Sequence, residues 1–140
     1  ARGITVSLGA DGASCNNRLD MFDEMRLAAL LQSLAHAPGH LPARSVLHMA
    51  TRGGARTLGR AAELGSLESG KQGDLVVVRA DRPHLSPGPD PYSTLVYAAR
   101  GSDVRATVVA GDVLVRDGRL TRVDAAEVAA RGRDQARRLA

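Results

Sequence analysis

The stretch ITVSLGADGASCNN, residues 4–17 of this 140-residue chain, holds a carboxylate, a hydroxyl and a thiol within five positions: Asp11, Ser14 and Cys15. Asp11 has Gly9 two residues before it and Gly12 just after. Ile4, Val6 and Leu8 alternate with Thr5 and Ser7, which predicts a strand over residues 3–9. The two glycines can take backbone angles that other residues avoid, so Asp11 is expected on a tight turn at the strand's C-terminal end. Two roles stand open for it. One is an Asx-turn, in which Asp11 bonds its own backbone, the commoner use of Asp beside Gly. The other is a reactive carboxylate at the end of a strand, where parallel α/β folds place their chemistry.

The remaining candidates are sparse. Cys15 has no His or Asn partner identifiable by spacing, so a small packed thiol is expected rather than a nucleophile. Ser14 lacks a GxSxG setting. The four histidines, His36, His40, His48 and His84, form no HxH or HExxH pair. Pro38 and Gly39 separate His36 from His40, so these two do not share a helical face. Zinc takes about four ligands, usually three of them from protein in a catalytic site. One aspartate on a turn cannot hold it alone. Neither GxGxxG nor GxxxxGK[ST] occurs, so neither loop supports nucleotide-phosphate binding.

Composition narrows the class. Aromatics make up 2% (Phe22, Tyr92 and Tyr97, no Trp), which predicts an aliphatic core and argues against modules that stack bases on aromatic platforms. The formal charge is +4, and Arg131, Arg133, Arg137 and Arg138 crowd the C-terminal segment. A nucleic-acid or membrane patch is one reading of that tail. A solvated helix face is preferred, because Lys71 is the only lysine among 19 Lys and Arg, a skew of composition. A single cysteine permits no internal disulfide, which fits a cytoplasmic setting. No segment reaches the apolar length of a membrane span, and no signal-peptide pattern opens the sequence.

Several elements must position these residues. LDMFDEMRLAALLQSLA, residues 19–35, predicts a helix with Asp20 as N-cap and Asp23 and Glu24 at its positive end. Met21, Phe22, Met25, Ala28 and Ala29 lie on one side and Leu27, Leu30, Leu31 and Leu34 on another, so the helix expects neighbours on two sides. HAPGH then breaks it. Residues 41–59 predict two short helices or one interrupted helix, with Pro42 at a first helical position and Gly59 at the stop. Gly53-Gly54 either separates the pieces or permits close packing. A strand follows at 74–80, a proline-rich loop at 83–91 and a short helix at 92–99. Residues 104–118 predict a hairpin turning near Gly111-Asp112, with a second turn at Asp117-Gly118. An amphipathic helix capped by Asp124 closes the chain at 124–140. A lone strand followed by helices cannot make a parallel sheet, so the partners of residues 3–9 are expected elsewhere.

Taken in order, the phrases SLGADGASCNNRLDMFDEMRLAALLQ, ATRGGARTLG, LGSLESGKQGDLVVV, DPYSTLVYAARGSDV and VVAGDVLVRDGRL resemble the amidohydrolase superfamily. Within it they are most similar to the 5′-methylthioadenosine/S-adenosylhomocysteine deaminase group. Ala10 stands where the family usually has Thr, and Cys15 where it has a small residue. The resemblance implies an α/β fold: the C-terminal part of a TIM (β/α)8 barrel, then the C-terminal half of a small composite β-sandwich. It implies three parts: the last barrel strand and following helices at 1–63, the sandwich portion at 64–123 with its short helix near 92–99, and the C-terminal helix at 124–140.

The same resemblance implies that Asp11 is metal ligand, catalytic proton acceptor and substrate contact at once. In the family Zn²⁺, sometimes Fe²⁺, is held by this Asp with an HxH pair and a further His, which lie outside this sequence. A purine nucleoside of the adenosine type is then the expected substrate, and the missing N-terminal barrel region or chain the expected partner. A second copy of the chain is left open as a partner; nucleic acid and membrane are not expected. The chain alone is expected to be inactive. Guanine or 8-oxoguanine deaminases, triazine chlorohydrolases, and a non-catalytic sandwich-like binding module are the competing readings.

Overall fold

The computed structural model describes residues 3–88 and 90–139. Its helical part begins with α1, Met21–Ala35. The Asp20 carboxylate caps this helix by accepting the Phe22 N–H at 2.9 Å, which satisfies a backbone donor left free by the first turn. His36, the first residue of the HAPGH turn, is the C-cap of α1. The segment predicted as two short helices or one interrupted helix is a single run interrupted by a π turn: α2 (Ala43–His48), the π-helical turn (Met49–Gly53) and α3 (Gly54–Thr57). Pro42 is its N-cap, one position earlier than predicted, and Gly59 follows it at φ 70°. After the proline-rich loop, with a 3-10 turn at Pro83–Leu85, comes α4 (Pro91–Ser93), continued by a π-helical turn at Thr94–Ala98.

These pieces enclose the core. Met25 and Ala29 of α1, Ala43 and Val46 of α2, and Val96 are buried, with Leu8, Phe22 and Tyr92 packed around them. The core is aliphatic, as the composition requires. Only one of the two predicted apolar faces of α1 is used: Leu27, Leu30 and Leu31 stay about half exposed and Leu34 is 85% exposed.

Arg26 ties α1 to the C-terminal part of the chain. Its Nε donates to the Tyr97 carbonyl at 3.0 Å and its Nη2 to the Ala99 carbonyl at 2.8 Å. The free oxygen of the Asp20 cap accepts the Gly101 N–H at 3.0 Å. Beyond Gly101–Asp103 lies an antiparallel sheet in the order β1-β2-β3-β4, formed by Leu75–Val78, Val104–Val109, Asp112–Arg116 and Arg119–Leu120. The β2–β3 turn is Ala110-Gly111, one residue earlier than predicted; both residues have positive φ, as a two-residue hairpin turn requires. Asp117-Gly118 repeats that geometry and adds β4, a strand the sequence did not reveal. No strand residue is fully buried, and β1 lies at a sheet edge among the described residues. The final helix, α5 (Ala125–Leu139), is capped through Asp124 and exposed along its whole length.

Residues 3–9 correct an expectation: they form no strand. A strand exists only through a ladder partner, and the sheet order leaves none for them. The segment instead lies against the π turn. A Cβ built on Gly53 would sit 2.8 Å from the Val6 carbonyl oxygen and 3.1 Å from that of His48. Close packing is therefore the role of Gly53. Because both obstacles are backbone, Gly53→Ala is expected to destabilise the complete protein by about 1–3 kcal/mol, read from its urea midpoint.

Candidate functional site

Asp11 sits where the extended segment gives way to a loop. The glycines beside it do not take the unusual angles; Asp11 itself does, at φ 57°. This corrects the reading of Gly9 and Gly12. Asp tolerates the left-handed region better than most residues, yet such a conformation still costs on the order of 1 kcal/mol and persists only when its surroundings fix it. The Asp11 Oδ1 accepts the Gly12 N–H at 2.7 Å, one residue on, whereas an Asx-turn would bond the N–H two residues on. That bond uses one oxygen. The side chain is exposed, and no other side chain is bonded to it among the described residues.

The loop after Asp11 is closed by the Gly12 carbonyl, which accepts the N–H groups of Cys15 and Asn16, both at 2.9 Å. Asn16 then turns inward. Its Nδ2 donates to Glu24 in the first turn of α1, and its Oδ1 accepts the Arg18 N–H at 3.1 Å. Arg18 pairs with Asp23 at 2.7 Å. Leu19, at φ 46°, swings the chain into the Asp20 cap. Sequence reasoning overlooked Asn16. Its partner lies eight residues away on the helix, a spacing with no periodic signature.

The other candidates fall into place differently. Cys15 is exposed rather than packed, with its sulfur 3.7 Å from the Ser14 Oγ. His36 and His40 do not share a helix face, but the HAPGH turn folds back and stacks their rings at 4.1 Å between centroids. The His84 Nε2–H donates to the buried Asp103 carboxylate at 2.8 Å. Burial raises the Asp103 pKa, but the His84 hydrogen bond, the Arg100 N–H and nearby positive charge outweigh it and hold the carboxyl below its usual range. This pair staples Pro83–Leu85 to Gly101–Asp103. In the tail, Arg131 pairs with Glu127 and Arg138 with Asp134 at i,i+4 spacing, as on a solvated helix face.

As a metal donor, the Asp11 carboxylate is a suitable oxygen ligand for zinc. It is one ligand, and among the described residues no three His, Cys, Asp or Glu side chains come together to hold an ion. No described helix is long and apolar enough to cross a membrane.

The sequence pattern of the amidohydrolase family matches residues 1–114. The chain is 49% identical, over 91% of its length, to a 5′-deoxyadenosine deaminase of Methanosarcina mazei, and covers 29% of that protein. It is 48% identical over 91% of its length to a 5-methylthioadenosine/S-adenosylhomocysteine deaminase of Moorella thermoacetica, covering 30% of it. A zinc-bound crystal structure of an adenosine deaminase from Xanthomonas campestris superposes on 96% of the chain with a TM-score of 0.92 at 38% identity. The match covers 31% of that structure. The chain thus spans about a third or less of the proteins it resembles.

Proposed function

The chain belongs to the amidohydrolase family, and we propose that it is the C-terminal part of a metal-dependent hydrolase that deaminates an adenosine-type nucleoside. The observation that carries this reading is the 48–49% identity, across nine-tenths of the chain, to relatives named as 5′-deoxyadenosine and 5-methylthioadenosine/S-adenosylhomocysteine deaminases. In this reading residues 1–63 complete a (β/α)8 barrel, residues 64–123 supply half of a composite sandwich, and 124–140 form the closing helix. Residues 3–9 have no ladder here because their neighbouring strands belong to the upstream region.

Asp11 is the residue through which this chain takes part in the reaction. Its exposed carboxylate, with one oxygen held by Gly12 N–H, leaves the other free toward a Zn²⁺ or Fe²⁺ whose remaining ligands come from upstream. Such a metal, when bound, activates water near neutral pH. Asp11 accepts the proton of the attacking water and passes it to the ammonia leaving position 6 of the adenine ring. It contacts the substrate at that position. The left-handed backbone at Asp11 and the Gly12 N–H that pins one carboxylate oxygen together fix the direction in which the other oxygen is presented.

The complete enzyme, assayed for ammonia release, is expected to turn over 5′-deoxyadenosine, 5′-methylthioadenosine or S-adenosylhomocysteine. Turnover of guanine or a chlorotriazine with none of these three would overturn the substrate assignment.

A further inference from the structure

We infer that Asn16 and Glu24 are positioning residues that clamp the Asp11 turn onto the first turn of α1, an inference that rests on the role proposed for Asp11. Two non-glycine residues in the left-handed region, Asp11 and Leu19, bracket the loop. Such residues stay put only when neighbouring contacts hold them. Between them, Asn16 is the one residue that is not exposed.

Asn16 is held by three hydrogen bonds. Its backbone N–H donates to the Gly12 carbonyl at 2.9 Å, one residue from Asp11. Its Oδ1 accepts the Arg18 N–H at 3.1 Å, and its Nδ2 donates to the half-buried Glu24 carboxylate. Arg18, two residues along the loop, grips Asp23 of the same helical turn at 2.7 Å. The base of the clamp is itself fixed, because the Asp20 cap and Arg26 fasten α1 to residues 97–101. A rigid path therefore runs from the sheet side of the molecule through α1 to the turn that presents Asp11. Releasing Asn16 would let the strained turn relax and spread the carboxylate over several orientations, of which few suit a metal or a proton transfer.

The test uses the complete zinc-loaded enzyme. Asn16→Ala and Glu24→Ala are each expected to lower kcat and to speed zinc loss to a chelator by about 10–100-fold. KM is expected to change by less than about twofold, since ground-state binding is not the interaction removed. Glu24→Gln should recover most of what Glu24→Ala loses, because its amide oxygen accepts the same N–H. The Asn16→Ala/Glu24→Ala double variant should be no worse than either single one, as for two halves of one contact. Wild-type zinc retention and kcat in both alanine variants, or additive losses in the double variant, would overturn the clamp. If Asp11→Asn is inactive while these variants behave as wild type, only the clamp fails. If Asp11→Asn retains zinc and full rate, the proposed role of Asp11 fails with it.

Discussion

Asp11→Asn in the complete enzyme is expected to leave the fold intact and to lower kcat by at least about 10²–10⁴-fold, the usual worth of general acid–base help alone. The amide has the shape of the carboxylate and can keep the Oδ1 bond to the Gly12 N–H, so the turn has no reason to rearrange. Asn also tolerates the left-handed φ of 57° that Asp11 adopts. What it cannot do is take a proton from water at neutral pH, and it binds a divalent ion far more weakly than a carboxylate does. The measurement is kcat together with zinc content and a thermal melt. A normal melt with lost activity is the expected outcome. A near wild-type rate with zinc retained would reduce Asp11 to an ordinary turn residue.

The second large effect concerns the 140-residue chain by itself. Assayed with zinc and S-adenosylhomocysteine it is expected to be inactive, and on sizing it is expected to associate and melt broadly. Leu27, Leu30, Leu31 and Leu34 on α1 keep half or more of their surface in water. Covering the rest of each is worth roughly 1 kcal/mol, and four such terms are a sizeable share of the ~5–15 kcal/mol that holds a domain together. β1 presents an unpaired edge with Val76 and Val77 half exposed, an invitation to strand pairing between chains. Co-expression of the upstream region should give a monodisperse, cooperatively melting protein. A monomeric chain with one sharp transition would instead make it a domain in its own right.

Local chemistry was the legible part of the sequence. The Asp20 cap, the Met25–Ala29 face of α1 and the Asp117-Gly118 turn all act within a few residues, and each is found where the residue types placed it. Asp11 was legible by type, but the glycines around it drew attention from its own backbone strain. Whatever depends on distant partners was not legible. Arg26 reaches carbonyls 71 and 73 residues along the chain. The stacking of His36 on His40 depends on how a Pro-Gly turn folds back. An alternating pattern at residues 3–9 announces a strand but cannot supply the strand beside it.

The π-helical turn at Met49–Gly53 bears on how this stretch can vary between relatives. Such a turn accommodates one residue more than a plain α-helix over the same path. Deleting one of the exposed residues Thr51 or Arg52 would restore regular winding over that same path and leave the helix downstream in register. Buried Ala55 would keep its seat, and Gly53 would stay against the Val6 carbonyl. Exposed Thr51 and Arg52 are therefore the positions at which this run can lose a residue, whereas Gly53 and Ala55 are held by their close contacts. In related sequences, a one-residue difference in length is therefore expected within this turn as well as in the loops on either side of the run.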